Sequence, residues 1–336
     1  MNKNIRINYF KPSSISDWNK LSEKNGNILQ STFYDEVQMF FNLSPIYIEY
    51  YVNNQLIAGV KLYYYESKKF PWLYKQLSIF GEFLFDNENK TILKSEIDKE
   101  FSAEIKQLFR TKKITFFKYS SYYGDEPLNI DNSSLKRQKW GINYIDIKQS
   151  IEEIQANMHS KHRNMINRAK KENLAFHEIS EIQILIDLIE KTYLNQTKDM
   201  PNKDYIRYLY EKLSVYNKCG IFIVKSGEVI LSAALVQLNG KVADYTFGGN
   251  IKNNFGAGQF LQYNVILKLK ELGYEKYYLG QVADNYDETN KKFSVGISRF
   301  KNRFGGKNKE GISIEIVLKK LNYKIWKLMI RLIKRK

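Results

Sequence analysis

The loop at residues 253–258 has a composition that could bind an anionic ligand. It begins with Asn253 and carries Gly256 and Gly258 between a predicted strand and a predicted helix. Glycines let the backbone approach a ligand closely, and free amides at a helix N-terminus attract phosphate. The segment is therefore a candidate donor-binding loop, with a plain turn as the alternative.

A basic helix predicted over residues 160–171 is a second candidate. Ser160 is the candidate N-cap, and the helix has one apolar side. Cations in a first helical turn oppose the helix dipole, so Lys161 and Arg163 would be better placed beside an anion. Together with Arg168 they form a candidate site for a substrate phosphate. The alternative is a solvated basic face.

The third candidate, residues 293–306, combines an apolar stripe with cations. Phe and Ile recur there at helical spacing, and a Gly-Gly pair ends the segment. The stripe itself indicates core packing. Three cations on such a short, anchored helix could clamp a phosphate rigidly; they are Arg299, Lys301 and Arg303.

A weak internal repeat indicates which elements hold these segments. Residues 46–65 read as two strands joined by Asn53-Asn54, and residues 221–238 read as two strands joined by Ser226-Gly227. Both turn pairs suit two-residue hairpins because they tolerate positive φ. In each half, a helix and a further strand follow the hairpin.

The repeat predicts two copies of one α/β (α+β) fold, each a mixed sheet flanked by helices. The polar, turn-rich stretch at 121–140 reads as part of a connection. We therefore place the domains at residues 1–148 and 149–317, followed by a basic amphipathic helix at 318–336. A length of 336 residues agrees with two domains of ordinary size.

The charge balance favours phosphate-bearing partners. Fifty-three Lys and Arg against 36 Asp and Glu give a net charge of +17, which suits nucleic acid, nucleotides or an anionic membrane surface. A generically basic surface is the alternative. A single cysteine, Cys219, excludes an intramolecular disulfide and a cysteine-based zinc site, and the three histidines lie too close to one helix to build a metal site.

The N-terminus lacks the apolar core of a signal peptide, and no stretch reaches 18 uninterrupted apolar residues. These observations predict a cytoplasmic protein.

Taken together, these segments resemble the FemABX family and its relatives among GNAT-like acyltransferases. That family has two GNAT-like domains in tandem, and its second domain typically opens with a basic helix like residues 161–169. The domain typically closes with Phe-Lys shortly before Phe-Gly, matched here by Phe300-Lys301 and Phe304-Gly305. Residues 29–32 (Leu-Gln-Ser-Thr) resemble the segment that opens a helix in the first domain. The loop at 253–258 resembles the pyrophosphate loop of GNAT acetyltransferases, with Asn253 replacing the usual Gln or Arg.

The resemblance implies transfer of an aminoacyl or acyl group onto an amine of a cell-envelope precursor, either peptidoglycan or a lipid- or nucleotide-linked glycan. No bound cofactor is expected, and the acyl donor is an acyl-CoA or an aminoacyl-tRNA. Two departures bear on the use of tRNA: the inserted coiled coil of some members is absent, and Tyr34 stands where Trp is frequent. The glycine loop favours a CoA thioester.

The implied chemistry is modest, because amine attack on an activated ester needs mainly positioning and oxyanion stabilisation. Lys301 matches the family lysine associated with substrate phosphate and the transition state. Amides near Gly248 and Gly249 could polarise the donor carbonyl, which makes Gly249 a further candidate donor-binding residue. Asp284 follows a predicted strand end and is the candidate base, with a plain loop residue as the alternative.

The C-terminal stretch at 319–336 holds eight cations and no acid, and its apolar residues follow helical spacing. This pattern is typical of an amphipathic anchor on an anionic leaflet. The alternative is a helix docked on its own domain. Contact with the inner face of the membrane would suit a lipid-linked acceptor.

Several function classes remain open at this point. The acyltransferase could be aminoacyl-dependent, or it could be an acyl-CoA-dependent N-acetyltransferase acting on an amino sugar or another small amine. A non-catalytic scaffold of surface-glycan assembly is a second class. A nucleic-acid-binding protein is the third; it rests on net charge alone and predicts a steep salt dependence.

Overall fold

A computed structural model of the protein describes residues 2–88, 93–123, 128, 130, 135–194, 200–282 and 295–334. Within these residues the chain forms two compact units. The first unit comprises Met1–Lys139 together with Glu310–Lys336, and the second comprises Trp140–Lys309.

The elements up to residue 120 all belong to the first unit. In chain order they are β1 (Lys3–Tyr9), α1 (Ile15–Asn25), a 3-10 turn (Ile28–Gln30), α2 (Phe33–Met39), β2 (Ser44–Val52), β3 (Gln55–Glu66), β4 (Lys75–Phe80), β5 (Leu84–Phe85), α3 (Lys94–Thr111) and β6 (Phe116–Ser120).

The remaining elements begin with a strand that crosses the boundary at residue 139. In chain order they are β7 (Leu135–Asp146), α4 (Ile151–Asn157), α5 (Ser160–Lys171), β8 (Ala175–Ile179), α6 (Ile182–Leu194), α7 (Lys203–Ser214), β9 (Cys219–Ser226), β10 (Val229–Asn239), β11 (Val242–Asn250), α8 (Ala257–Glu271), β12 (Lys276–Val282), α9 (Val295–Asn302), β13 (Lys307–Val317) and α10 (Lys320–Lys334).

The first unit's strands follow the order β1–β2–β3–β4–β6–β13. Neighbours are antiparallel except β4 and β6, which are parallel and are joined across α3. The second half of β13 pairs with β6 from Ser313 to Val317. This pairing places residues 310–317 in the first unit, whereas the division predicted from the sequence assigned them to the second domain.

The second unit repeats the same pattern of pairings, in the order β8–β9–β10–β11–β12–β7. Its neighbours are antiparallel except β11 and β12, which are parallel and are joined across α8. The tandem α/β fold predicted from the hairpin repeat is therefore confirmed.

The two hairpins agree in detail. Asn53 and Asn54 have φ of 48° and 64°, and Gly227 has φ of 54°, as two-residue hairpin turns require. Both second strands carry a bulge at the same place, because the pairing skips Ile57 in β3 and Leu231 in β10. In each strand small residues follow the skipped position, Ala58-Gly59 in β3 and Ser232-Ala233-Ala234 in β10.

Both faces of the first unit's sheet are covered by helices. Alternate residues of β2, such as Ile48, join a core with Phe101 of α3, whereas Tyr47 faces Trp18 of α1. The absence of a side chain at Gly59 leaves room for the Trp18 ring, since a Cβ there would lie 2.4 Å from that ring. In the second unit, α8 packs on the sheet through residues such as Leu261.

The last helix, α10, docks on the first unit by one side. The rings of Trp326 and Tyr74 stack with centroids 3.8 Å apart, and Tyr323 stacks on Phe116 at 5.3 Å. In the described parts of the chain, no helix combines the length and the apolar character needed to cross a bilayer.

Candidate active site

A cavity of about 490 Å³ lies in the second unit, where two parallel strands part. The pairing of β11 with β12 ends at Asp244 and Tyr278, although the strands continue to Asn250 and Val282. The sheet is therefore open beyond the last pair, and the opening forms the cavity.

Bulges flank this opening on both strands. In β11 the pairing with β10 skips Thr246, and in β12 the pairing with β7 skips Leu279. The next residue, Gly280, has φ of 80°, a left-handed conformation that favours glycine. Bulges bend a strand and redirect its side chains, and they are common beside active sites.

Residues from α6, β11, β12 and α9 line the cavity. Thr192 of α6 accepts a hydrogen bond from the backbone N–H of Asn250 at 2.7 Å, which ties that helix to the end of β11. The lining residues are Ile189, Thr192, Tyr193, Tyr245, Thr246, Phe247, Gly248, Asn250, Gln281, Gly296, Ile297, Phe300 and Lys301.

Lys301, the cation predicted to be catalytic, lies in this cavity. Its Nζ donates a hydrogen bond to the backbone carbonyl of Gln281 at 3.0 Å. Burial lowers the pKa of Lys301 to about 8, because a desolvated ammonium is less stable than one in water. The cavity thus holds a partly buried cation beside the open strand ends.

Contacts from α5 and from its N-cap residue hold α9 in position. Nε2 of His162 lies 2.9 Å from the carbonyl oxygen of Phe300, a separation that lets the neutral ring donate to that carbonyl. The imidazole also contacts the Phe304 ring edge-on at 4.6 Å, and the backbone N–H of His159 donates to the carbonyl of Arg303 at 2.9 Å. The apolar stripe predicted on this segment is therefore an anchor for the helix that carries Lys301.

His162 should make the free energy of unfolding depend on pH. Burial lowers its pKa from 6.5 to about 4, so the unfolded chain binds a proton more readily than the folded one between these values. Its contribution is complete above about pH 6.5 and is lost as the pH falls toward 4, at a cost of up to about 3 kcal/mol.

Urea denaturation of wild type and His162→Gln, at about pH 7 and about pH 4.5, measures this contribution. The variant should lose less stability on acidification than wild type. Equal losses in the two proteins would show that His162 is not responsible.

The predicted phosphate-binding cations of α5 have local partners. Arg163 Nη1 donates to the carbonyls of Gln155 and Ala156 at 3.3 and 3.2 Å and also to that of Met158, so it satisfies the end of α4. Arg168 pairs with Glu172 at 3.9 Å on the surface. Their role with phosphate stays a prediction.

Two further details of these helices bear on the predicted cations. The N-cap of α5 is His159 and not Ser160, since His159 Nδ1 accepts from the backbone N–H of Lys161 at 3.1 Å. Lys161 itself is exposed, as is Arg299 on α9, while Arg303 is partly buried. The cavity lining includes Lys301 but none of these three cations.

The glycine loop before α8 is filled by its own neighbours. Asn253 Oδ1 accepts from the backbone amides of Phe255 and Ala257 at 3.0 and 3.4 Å. A Cβ on Gly256, whose φ is 78°, would lie 2.6 Å from the carbonyl oxygen of Met165. Close packing against α5 therefore requires this glycine, and two amides that a phosphate could use are already engaged.

The other predicted donor-site glycines also lie in tight contacts. A Cβ on Gly249 would lie 2.4 Å from the backbone carbon of Leu188, so Gly249 lets α6 approach β11. A Cβ on Gly258 would lie 2.9 Å from Oδ1 of Asn250. Packing explains both residues, and donor binding by either one stays a prediction.

Asp284, the predicted base, and Phe293 lie outside the described residues. Among the residues that are described, no group of three or more His, Cys, Asp or Glu side chains is placed to hold a metal ion.

The cavity also contains groups that the sequence did not single out. Tyr245 lies against Gly248, where a Cβ would overlap its hydroxyl, and burial raises the pKa of this phenol to about 12. It therefore stays protonated near neutral pH and can donate a hydrogen bond. The Gly248-Gly249 pair marks this end of β11 in the sequence. It does not reveal the bulge at Thr246, which lies next to Tyr245.

The second half of the chain resembles a known protein family in sequence. Residues 217–331, from just before β9 into α10, match the FemAB family. No curated protein sequence matches the chain significantly.

Solved structures share the fold across both units. FemX superposes with a TM-score of 0.77 and 14% identity, over 97% of this chain and 99% of FemX. L-PGS from Bacillus licheniformis gives 0.57 and 14%, over 92% and 93% of the two chains. A tandem GNAT protein from the clavulanic acid biosynthesis pathway gives 0.50 and 9%, over 93% and 98%.

The two kinds of match are complementary, since one covers part of the second half by sequence and the other covers both units by structure. The predicted resemblance to the FemABX family is therefore confirmed by sequence over residues 217–331. Over both units, the likeness to FemX and to the tandem GNAT protein is a likeness of fold.

Proposed function

We propose that the protein is an acyltransferase that moves an aminoacyl group onto an amine of a phosphate-bearing cell-envelope precursor. The observation that carries this proposal is the position of Lys301 in the opening between β11 and β12. The FemAB match and the fold shared with FemX and with L-PGS support it.

In the proposed step, the neutral acceptor amine attacks the carbonyl carbon of an aminoacyl ester. The C–N bond forms, the ester C–O bond breaks, and the donor hydroxyl leaves with the proton that the amine gives up. Negative charge develops on the carbonyl oxygen and then on the leaving oxygen, and a fixed cation stabilises both.

Lys301 suits that role because it is still mainly charged at neutral pH. With a pKa of about 8, about nine side chains in ten are protonated at pH 7. Tyr245 lies in the same cavity and supplies a neutral donor that does not change protonation in this range. The pair therefore combines a charge with an uncharged hydrogen-bond donor.

An aminoacyl ester of tRNA is the donor that the geometry supports better than a CoA thioester. In the glycine loop that would hold a pyrophosphate, Asn253 already accepts from two amides and Gly256 packs against Met165. The CoA-dependent N-acetyltransferase is the second candidate, favoured by the parted parallel strands and by the fold of the tandem GNAT protein.

The net charge of +17 and the cations on α9 support an anionic acceptor. Arg299 lies two residues from Lys301 on this helix and is exposed, so it could contact a phosphate outside the cavity. A UDP-linked or lipid-linked muropeptide precursor satisfies this requirement and carries an amine.

Mass spectrometry of the acceptor after reaction separates these candidates. The protein is incubated with a UDP-linked or a lipid-linked muropeptide precursor and with either charged tRNA or acetyl-CoA. We expect an aminoacyl mass gain with charged tRNA, abolished when the tRNA is first digested with ribonuclease. An acetyl gain alone would establish the second candidate, and no gain with either donor would favour the non-catalytic scaffold.

A further inference from the structure

Several loops of the first unit meet at one end of its sheet. The pairings near that end run across the strands: Tyr9↔Ile46, Ser44↔Tyr64, Glu66↔Lys75, Gln76↔Phe116 and Phe116↔Val317. The turn after β1, the β3–β4 loop, the turn before β6 and the start of α10 therefore lie at the same end. We call this set of segments the basic end.

The segments of the basic end carry cations and no acidic residue. Its segments, residues 10–13, 67–75, 110–115 and 318–334, contain many Lys and Arg and no Asp or Glu. Glu66, which ends β3, forms an ion pair with Lys75 at 3.0 Å. The surface is therefore complementary to a plane of negative charge.

Helix α10 presents an exposed apolar row on this end. Its aromatic side is docked on Tyr74 and Phe116, but another side leaves four aliphatic residues in solvent at spacings of 4, 3 and 4. Their exposed fractions are Leu321 71%, Ile325 41%, Leu328 56% and Leu332 51%. Exposed cations lie beside this row at Lys324, Lys327 and Arg331.

The β3–β4 loop adds an exposed aromatic residue next to the start of α10. Trp72 is 71% exposed, and its carbonyl accepts from Asn322 Nδ2 of α10 at 3.5 Å. Lys68 and Lys69 precede it and are exposed. Phe10, 70% exposed, extends from the turn after β1 at the same end. An indole flanked by cations suits the headgroup level of a bilayer, and the apolar Phe10 ring suits the acyl chains just below it.

We propose that the basic end is a docking surface for an anionic lipid bilayer. Helix α10 would lie in the plane of the interface, with its aliphatic row among the upper acyl chains and its cations at the lipid phosphates. Trp72 would lie at the level of the headgroups, and Phe10 would enter the acyl chains just below them. A row of aliphatic side chains favours lipid over RNA, since single-stranded RNA binds through cations and aromatic stacking.

This inference does not depend on the proposed acyl transfer, because it rests on surface residues of the first unit. Flotation of the full chain with vesicles tests it directly. We expect binding to vesicles that contain phosphatidylglycerol, little binding to pure phosphatidylcholine, and weakening at high salt.

The double variant Ile325→Glu/Leu328→Glu should lower the bound fraction about tenfold or more. The matched control is Val229→Glu/Leu272→Glu on the second unit, which changes two residues that are 57% and 53% exposed in the same way. Thermal melting shows whether each variant is folded, and Trp72→Ser repeats the test on the loop if α10 does not tolerate two carboxylates.

Three outcomes would overturn the proposal. Wild type could fail to float with anionic vesicles, or the α10 and Trp72 variants could float as well as wild type. In the third outcome, the protein binds an RNA probe but not vesicles, and the α10 variant binds the RNA more weakly than wild type does. That result would assign the basic end to nucleic acid.

Discussion

Lys301→Ala should lower kcat/KM for acyl transfer by about a hundredfold to a thousandfold, the loss typical of removing one donor to a developing oxyanion. The ammonium is the cation within the cavity lining, and it is held at 3.0 Å from the carbonyl of Gln281 beside the parted strands. Alanine leaves the cavity intact but removes the charge. Single-turnover rates with saturating acceptor report the chemical step directly.

Two controls make this result specific. Lys171→Ala removes an exposed lysine at the end of α5 and should leave the rate unchanged. Lys301→Arg keeps the charge but places a broad planar group in a space shaped for an ammonium, so it should restore only part of the activity. A folded Lys301→Ala protein that turns over at the wild-type rate would contradict a catalytic role and support the scaffold.

The tandem fold could be predicted because its signals are local. A two-residue turn such as Asn53-Asn54 is visible in the sequence, and the same strand-turn-strand pattern recurs at Ser226-Gly227. Periodicity likewise located the basic helix predicted at 160–171, observed as α5, and the C-terminal helix predicted at 318–336, observed as α10. These features depend on neighbours in the chain, which a sequence displays directly.

The pairing of β13 with β6 could not be predicted in the same way. It joins residues near 316 and 117, and nothing local distinguishes a last strand that pairs with the first unit from one that pairs with the second. The predicted boundaries placed residues 310–317 in the wrong unit for that reason.

The lining of the candidate cavity was predicted in part, and the differences share a cause. Lys301 was identified through its Phe-Lys and Phe-Gly context, but Arg163 satisfies the end of α4 and Gly256 packs against Met165. The sequence does not show whether a cation or a glycine contacts a ligand or a neighbouring helix. Tyr245 reaches the cavity beside a bulge, which depends on strand register rather than on spacing.

Asp35→Ala should lower the stability of the first unit by about 3–5 kcal/mol, the cost of leaving a buried charge without its partner. Oδ1 of Asp35 accepts from Lys61 Nζ at 2.7 Å and from the Tyr63 hydroxyl at 3.0 Å, and Oδ2 accepts from the Tyr47 hydroxyl. The Lys61 side chain is 0% exposed, and burial lowers its pKa while Asp35 opposes that shift.

The position of Trp18 makes the loss measurable within this unit. Its ring meets Tyr47 edge-on at 4.7 Å, so in a background with Trp72, Trp140 and Trp326 replaced by Phe its fluorescence should follow unfolding of the Asp35 cluster during urea denaturation. Glu96→Ala is the matched control in the same unit, since it breaks the ion pair with Lys3, whose side chains are 41% and 44% exposed, and it should cost much less than Asp35→Ala. Lys61→Met should cost less than Asp35→Ala, because the carboxylate keeps two phenol donors while the buried ammonium keeps no charged partner. If Asp35→Ala and Glu96→Ala cost the same, the buried pair does not stabilise the unit.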